Sequence, residues 1–114
     1  MLVAEDEILI GILLEDMLGE LGCTIVGPFS SIDEARVGAE AGGFDVALVD
    51  FNLNGVRATP LAELLARQGR PFAIVSGGGP EAEGHGETAT LSKPFQMAEL
   101  ASVLHSLAAR ISGP

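Results

Sequence analysis

Tryptophan and tyrosine are absent from this 114-residue chain, and phenylalanine occurs only five times. A core without large aromatics has to be packed from Leu, Val, Ile and Ala, and a hydrophobic share of 47% is enough to fill one. The single cysteine, Cys23, excludes an internal disulfide and points to an intracellular, cytoplasmic protein. Placed after Gly22 at a helix-to-strand junction, it reads as a small buried hydrophobe rather than a reactive thiol. Basic residues are scarce. Six Lys and Arg stand against sixteen Asp and Glu, for a net charge of −10, which argues against nucleic acid as a partner. A phosphate ligand held locally is still compatible with that balance. The longest apolar run, Ile8 to Leu14, is too short to span a bilayer, so no membrane insertion is expected. The amino terminus has no basic segment or cleavage-like site, and Met1 runs straight into an apolar strand, so no signal peptide is expected. The length suits one domain over residues 1–114.

The chain alternates short apolar runs with helical periodicity. Leu2-Val3-Ala4 reads as a strand, followed by a helix from Asp6 or Glu7 to Leu21. In that helix Leu9, Leu13, Met17 and Leu21 repeat at four-residue steps, with Ile10, Leu14 and Leu18 alongside and Gly22 as a left-handed cap. Thr24-Ile25-Val26 is a second strand, ended by Gly27-Pro28. Ser31-Ile32-Asp33-Glu34 is a capping-box pattern that opens a helix to about Ala41. Val46-Ala47-Leu48-Val49 has no alternation, as suits a strand buried on both faces of a parallel sheet. Asn52 to Gly55 is turn chemistry. Thr59 then caps a helix with Pro60 at its first position. Phe72-Ala73-Ile74-Val75 and the weaker Ala89-Thr90-Leu91 are the last strands. A final helix from about Gln96 buries Leu100, Val103, Leu104, Leu107 and Ile111. The order predicts an α/β doubly wound parallel sheet.

One segment breaks the alternation. Gly77 to Thr88 should hold the fourth helix, yet it carries five glycines and Pro80 and no strong apolar residue. Each helix-interior glycine costs about 1 kcal/mol relative to alanine, so a mobile loop or at most one turn is expected there.

Polar signals fall at the carboxyl ends of four predicted strands: Glu5-Asp6, Asp50, Ser76 and Lys93-Pro94. In an open α/β sheet that edge is where ligands bind. Three carboxylates, one hydroxyl and one ammonium are the groups needed to hold a divalent cation and a phosphoryl group beside a nucleophilic carboxylate. Carboxylates placed together repel one another, and Mg²⁺, which prefers oxygen ligands, removes that penalty. A cis Lys93–Pro94 bond would aim the lysine inward, and the sequence leaves the isomer open. The competing reading of Glu5-Asp6 is helix N-terminal charge; Asp50 on a neighbouring strand favours the cation.

At these residues the chain resembles the receiver domains of two-component response regulators. The acidic pair of "VAEDE", the Asp of "VALVDFNLNG", the hydroxyl of "AIVSG" and the lysine of "SKPF" occur in order along the whole chain. The segment "PLAELLARQGRPFAIVSGGG" is also similar to a stand-alone subgroup named for a FATGUY-like motif, with Gly78 in place of its aromatic. The resemblance implies a flavodoxin-like five-stranded sheet of order 2-1-3-4-5. It implies Asp50 as phosphoacceptor and Mg²⁺ held by Glu5 (through water), Asp6, Asp50 and the carbonyl of Asn52. Ser76 and Lys93 would contact the phosphoryl group, and Ser76 would report its arrival. The implied donor is a sensor histidine kinase or a histidine phosphotransfer domain, and the implied output is a downstream protein target. The protein would not be an enzyme in the ordinary sense, though it would promote its own phosphorylation and slow dephosphorylation. No output domain is expected after the last helix.

Two departures touch the switch. Thr90 stands three positions before Lys93, where receivers often carry an aromatic, and threonine is too small to play that part. The stretch from Ser76 to Lys93 is also short for the family. Phosphorylation is therefore expected to order the Gly77–Thr88 loop instead. His85 in that loop reads as solvated, and His105 as a rim residue of the last helix. Other readings fare worse. "DFNLNG" begins like an EF-hand loop, but its twelfth position is Leu61 where a bidentate Glu is needed. An aspartyl-phosphate phosphatase would use an acid two positions after its nucleophile, where Asn52 stands. The alternative function is a receiver-fold binding module that signals without phosphorylation.

Overall fold

The computed structural model describes residues 1–77 and 84–112. In chain order the elements are β1 (Leu2–Ala4), α1 (Ile8–Glu20), β2 (Val26–Phe29), α2 (Ile32–Ala41), β3 (Ala47–Asp50), β4 (Asn52–Leu53), β5 (Val56–Arg57), α3 (Thr59–Arg67), β6 (Phe72–Ser76), β7 (Ala89–Ser92) and α4 (Met97–Ser112). Five strands form one parallel sheet in the order β2-β1-β3-β6-β7, which is 2-1-3-4-5 when the sheet strands alone are counted. This is the flavodoxin-like doubly wound fold. The pair β4–β5 is a separate antiparallel hairpin between β3 and α3.

The strand runs lack polar alternation because both faces are covered. Leu2, Ala4, Ala47, Val49, Phe72 and Ile74 face one core with α2 and α3. Val3, Leu48, Ala73, Val75 and Leu91 face the other with α1 and α4. The two-residue period of a strand delivers adjacent residues to opposite cores.

Several boundaries differ from expectation. In α1 the buried residues are Gly11, Leu14, Met17 and Leu18, whereas Leu9 is 81% exposed and Leu13 and Leu21 also face out. The helix is apolar nearly all round, so periodicity alone does not select the inner face. Strand β2 does not end at Gly27-Pro28 but runs through it to Phe29, with an irregular register against β1. Gly27 has φ +111° there, and a Cβ would stand 2.7 Å from the Val3 carbonyl. Both Gly27–Pro28 and Lys93–Pro94 are cis. Cys23 is half-buried against the α1–α4 core.

Ser31 caps α2 as expected, accepting from the Glu34 amide at 3.2 Å. Glu34 reaches back to the hydroxyls of Ser30 and Ser31. Helix α3 begins one residue earlier than expected: Ala58 is its N-cap, without a side-chain bond, and Thr59 is inside the helix. In α4, Leu100, Val103 and Leu107 are buried, Leu104 is half-buried and Ile111 faces solvent. Gly77 and residues 84–88 are not helical. The remainder of the expected loop, residues 78–83, lies outside the described residues. Among the described residues no helix is long and apolar enough to cross a membrane.

Candidate functional site

The strand order determines which polar residues meet. β1 and β3 are neighbours in register, Ala4 beside Val49, so Glu5 and Asp50 emerge side by side at the sheet edge. β6 flanks β3 with Asp50 beside Val75, and β7 flanks β6 with Ser76 beside Ser92. Lys93 therefore leaves the last strand at the same edge, its amide bonded to the Ser76 carbonyl at 2.7 Å.

Glu5 and Asp50 are buried, at 4% and 6% exposure, and no other polar residue among those described is buried. Two carboxylates in such surroundings need compensation. The Lys93 ammonium supplies it, 2.7 Å from Asp50 Oδ2, 3.1 Å from Glu5 Oε1 and 3.7 Å from Glu7 Oε1. The Asn52 amide donates to Asp50 Oδ1 at 3.1 Å, and the Glu7 amide donates to Glu5 Oε2 at 3.2 Å. Glu5 Oε1 is buried and accepts no hydrogen bond; its approach to Lys93 is an ion pair without hydrogen-bond geometry.

Burial, and then the neighbouring Asp50 carboxylate, push the Glu5 pKa up to about 7. For Lys93, burial alone would lower the pKa. The hydrogen bond and charge of Asp50, together with the nearby Glu5 carboxylate, outweigh it and raise the pKa.

Asp6 completes the acidic set. It is less buried, and its Oδ2 accepts the Asn54 amide at 2.9 Å. One carboxylate oxygen from each of Glu5, Asp6 and Asp50 lies within 4.8 Å of the others. An oxygen-only cluster of that span, with one buried oxygen lacking a hydrogen bond, fits a hard divalent cation such as Mg²⁺.

The structure thus brings Glu5, Asp6, Asp50 and Lys93 together, with Asn52 bonded to Asp50. Ser76 ends the strand beside Asp50 and is half-buried. Thr90 is exposed on β7, lining a shallow groove with Ser92, Glu99 and Ser102.

Three features escape the sequence reading. Glu7 adds a third carboxylate near Lys93, after Asp50 and Glu5. Asn54 bonds Asp6 through its amide and the Ser30 carbonyl through its side chain at 3.1 Å. His85 is not a free solvated side chain: its ring packs on Phe51, the residue after Asp50, with centroids 5.2 Å apart. Arg57 from the hairpin lies 6.0 Å from the centre of the same Phe51 ring. The Asn54-Gly55 dipeptide does announce a tight hairpin turn, but not where that turn docks.

No protein-family model matches the chain. No curated protein matches it either. Among solved structures it is similar to the solution structure of SdrG from Sphingomonas melonis Fr1, with 38% identity and a TM-score of 0.81 over 94% of this chain and 93% of that one. The BeF3-activated conformation of SdrG from Pseudomonas melonis Fr1 is matched at 38% identity and a TM-score of 0.77, over 93% of this chain and 92% of that one. The receiver domain of the sensor histidine kinase PA1611 from Pseudomonas aeruginosa PAO1, with a magnesium ion coordinated in its active-site cleft, shares the fold. It is 23% identical with a TM-score of 0.84, over 93% of each chain.

Proposed function

The chain belongs to the response regulator receiver family, and we propose that it acts there as a phosphoacceptor, taking a phosphoryl group onto Asp50. The observation that carries this reading is the ion pair of Lys93 with a buried Asp50, inside a cluster that also holds Glu5 and Asp6. The same cluster supports a Mg²⁺ site, in which Glu5, Asp6, Asp50 and the Asn52 carbonyl would hold the cation. When bound, the cation neutralises the carboxylates and the oxygens of an incoming phosphoryl group.

The chain's own residues account for the remaining chemistry. A carboxylate oxygen of Asp50 attacks phosphorus, and the bond from phosphorus to the donor's imidazole nitrogen breaks. The donor nitrogen leaves with its electron pair and is protonated. Negative charge then accumulates on the phosphoryl oxygens. Lys93, already directed at Asp50, neutralises one of them, and the Ser76 hydroxyl donates to another. The chain is acceptor and positioning scaffold rather than an enzyme with turnover, and water attack returns it slowly to its starting state.

The donor is a phosphohistidine of a sensor kinase or phosphotransfer domain, and the product acts by contact with a downstream protein. A cytoplasmic location is part of this proposal. So is the FATGUY-like subgroup, supported by the segment from Pro60 to Gly79. The test is transfer from a panel of phosphohistidine proteins in the presence of Mg²⁺. Label should pass to this chain from at least one donor, and to Asp50→Ala from none. Equal labelling of the two chains would exclude Asp50 as acceptor.

A further inference from the structure

The turn between β4 and β5 joins two other loops to the site. Asn54 has φ +52° and is followed by Gly55 at +76°. Leu53 pairs with Val56, so the Asn54 N–H lies beyond the last rung of the hairpin and has no partner within it. That N–H instead donates to Asp6 Oδ2 at 2.9 Å, a residue 48 positions away. The Asn54 side-chain amide donates at 3.1 Å to the Ser30 carbonyl, in the loop between β2 and α2.

Each property limits the residue that can serve. The left-handed backbone is costly for most side chains, and asparagine is among those that adopt it readily. Bonding to Ser30 requires a donor on a short side chain. Aspartate shares the backbone preference but has no N–H to give.

We propose that Asn54 is a positioning residue for the cation site, holding the Asp6 carboxylate within the Glu5–Asp6–Asp50 cluster. This rests on the reading of that cluster as a Mg²⁺ site. Glu5 and Asp50 are fixed by burial and by Lys93. Asp6 is more exposed and forms no ion pair with Lys93. The Asn54 amide is its fixed partner, and the bond to Ser30 braces that amide from behind. Mg²⁺ demands near-ideal octahedral geometry, whereas Ca²⁺ accepts flexible surroundings. A device that immobilises one carboxylate therefore favours Mg²⁺ over Ca²⁺.

The experiment titrates Mg²⁺ and Ca²⁺ separately into the full chain at pH 8, followed by amide resonances, for wild type, Asn54→Gly and Asn54→Ala. Glycine keeps the backbone conformation and the N–H but lacks the brace to Ser30. Alanine lacks the brace and strains the turn. Mg²⁺ affinity should fall by up to about ten-fold, in the order wild type, Gly, Ala, as for loss of an outer-shell partner. Ca²⁺ affinity should fall less, so the selectivity ratio shrinks. Faster exchange of the Asn54 amide in Asp6→Ala should confirm the bond.

Unchanged Mg²⁺ affinity in both variants, with saturable binding in the wild type, would overturn the role of Asn54 alone. Equal losses for the two metals would overturn it as well, leaving a residue that merely supports the fold. A wild-type chain without saturable Mg²⁺ binding would overturn both this role and the cation site.

Discussion

The Lys93 ammonium lies 2.7 Å from Asp50 Oδ2 and 3.1 Å from Glu5 Oε1, so one positive charge spans two buried carboxylates, one ending β3 and one just after β1. It is the protein's own counter-charge at the sheet edge. Lys93→Met removes that charge and leaves both carboxylates uncompensated. Breaking a buried pair costs about 3–5 kcal/mol, and a cost toward the lower end is expected here because the site opens to solvent at Lys93. Mg²⁺ should restore much of the loss. Urea unfolding at pH 8 with and without Mg²⁺ measures both effects; a variant as stable as wild type in the absence of Mg²⁺ would show that the pair compensates nothing.

Glu5 sets the pH dependence. Its folded-state pKa, pushed by burial from 4.5 to about 7, means the folded chain holds a proton that the unfolded chain has released. Its contribution to stability is therefore fully present below about pH 4.5 and declines as pH rises to about 7. The decline should be on the order of 3 kcal/mol, at 1.36 kcal/mol per pKa unit. Other carboxylates have their own slopes, so the comparison is between wild type and Glu5→Gln, in denaturant melts from pH 4 to pH 8. The difference should grow in favour of Gln with rising pH. Mg²⁺ competes with the same proton, so its affinity for the wild type should strengthen across that interval. A pH-independent difference would place the Glu5 pKa near its ordinary value.

The contact of His85 with Phe51 gives residues 84–88 a foothold beside Asp50. Glu87 closes a turn under it, accepting from the Gly84 and His85 amides at 3.0 and 2.7 Å. Burial alone would raise the Glu87 pKa; hydrogen bonds from its own backbone and from His85 and Gly84 outweigh this and lower it. His85→Ala should speed amide exchange at Gly84–Glu87 by about five-fold, the equivalent of a ring contact worth about 1 kcal/mol. A phosphoryl mimic such as beryllofluoride should slow exchange across residues 84–88 in the wild type. Identical exchange with and without the mimic would contradict the idea that this segment reports phosphorylation.

Local sequence carries some of these features and not others. The sheet is legible because Val46–Val49 and Phe72–Val75 are unbroken apolar runs, and only a strand covered on both faces needs that pattern. The site is legible for a related reason. Asp50 and Ser76 end such runs, Lys93 follows the weaker Ala89–Ser92 strand, and strand order alone carries them to one edge. The inner face of α1 is not legible, since Ile8, Leu9, Ile12 and Leu13 are as apolar as the buried Leu14 and Leu18. The passage of β2 through Gly27-Pro28 runs against local preference and follows from pairing with β1. The roles of Asn54 and His85 depend on partners 48 and 34 positions away, Asp6 and Phe51, which no local signal encodes.

Incubation with Mg²⁺ and a small phosphodonor such as acetyl phosphate tests the central claim most directly, because it needs no cognate kinase. Intact-mass analysis of the wild type should show one added phosphoryl group, stable in acid and lost in base, absent from Asp50→Ala and dependent on Mg²⁺. No adduct on the wild type, or an equal adduct on Asp50→Ala, would contradict the assignment of Asp50 as phosphoacceptor.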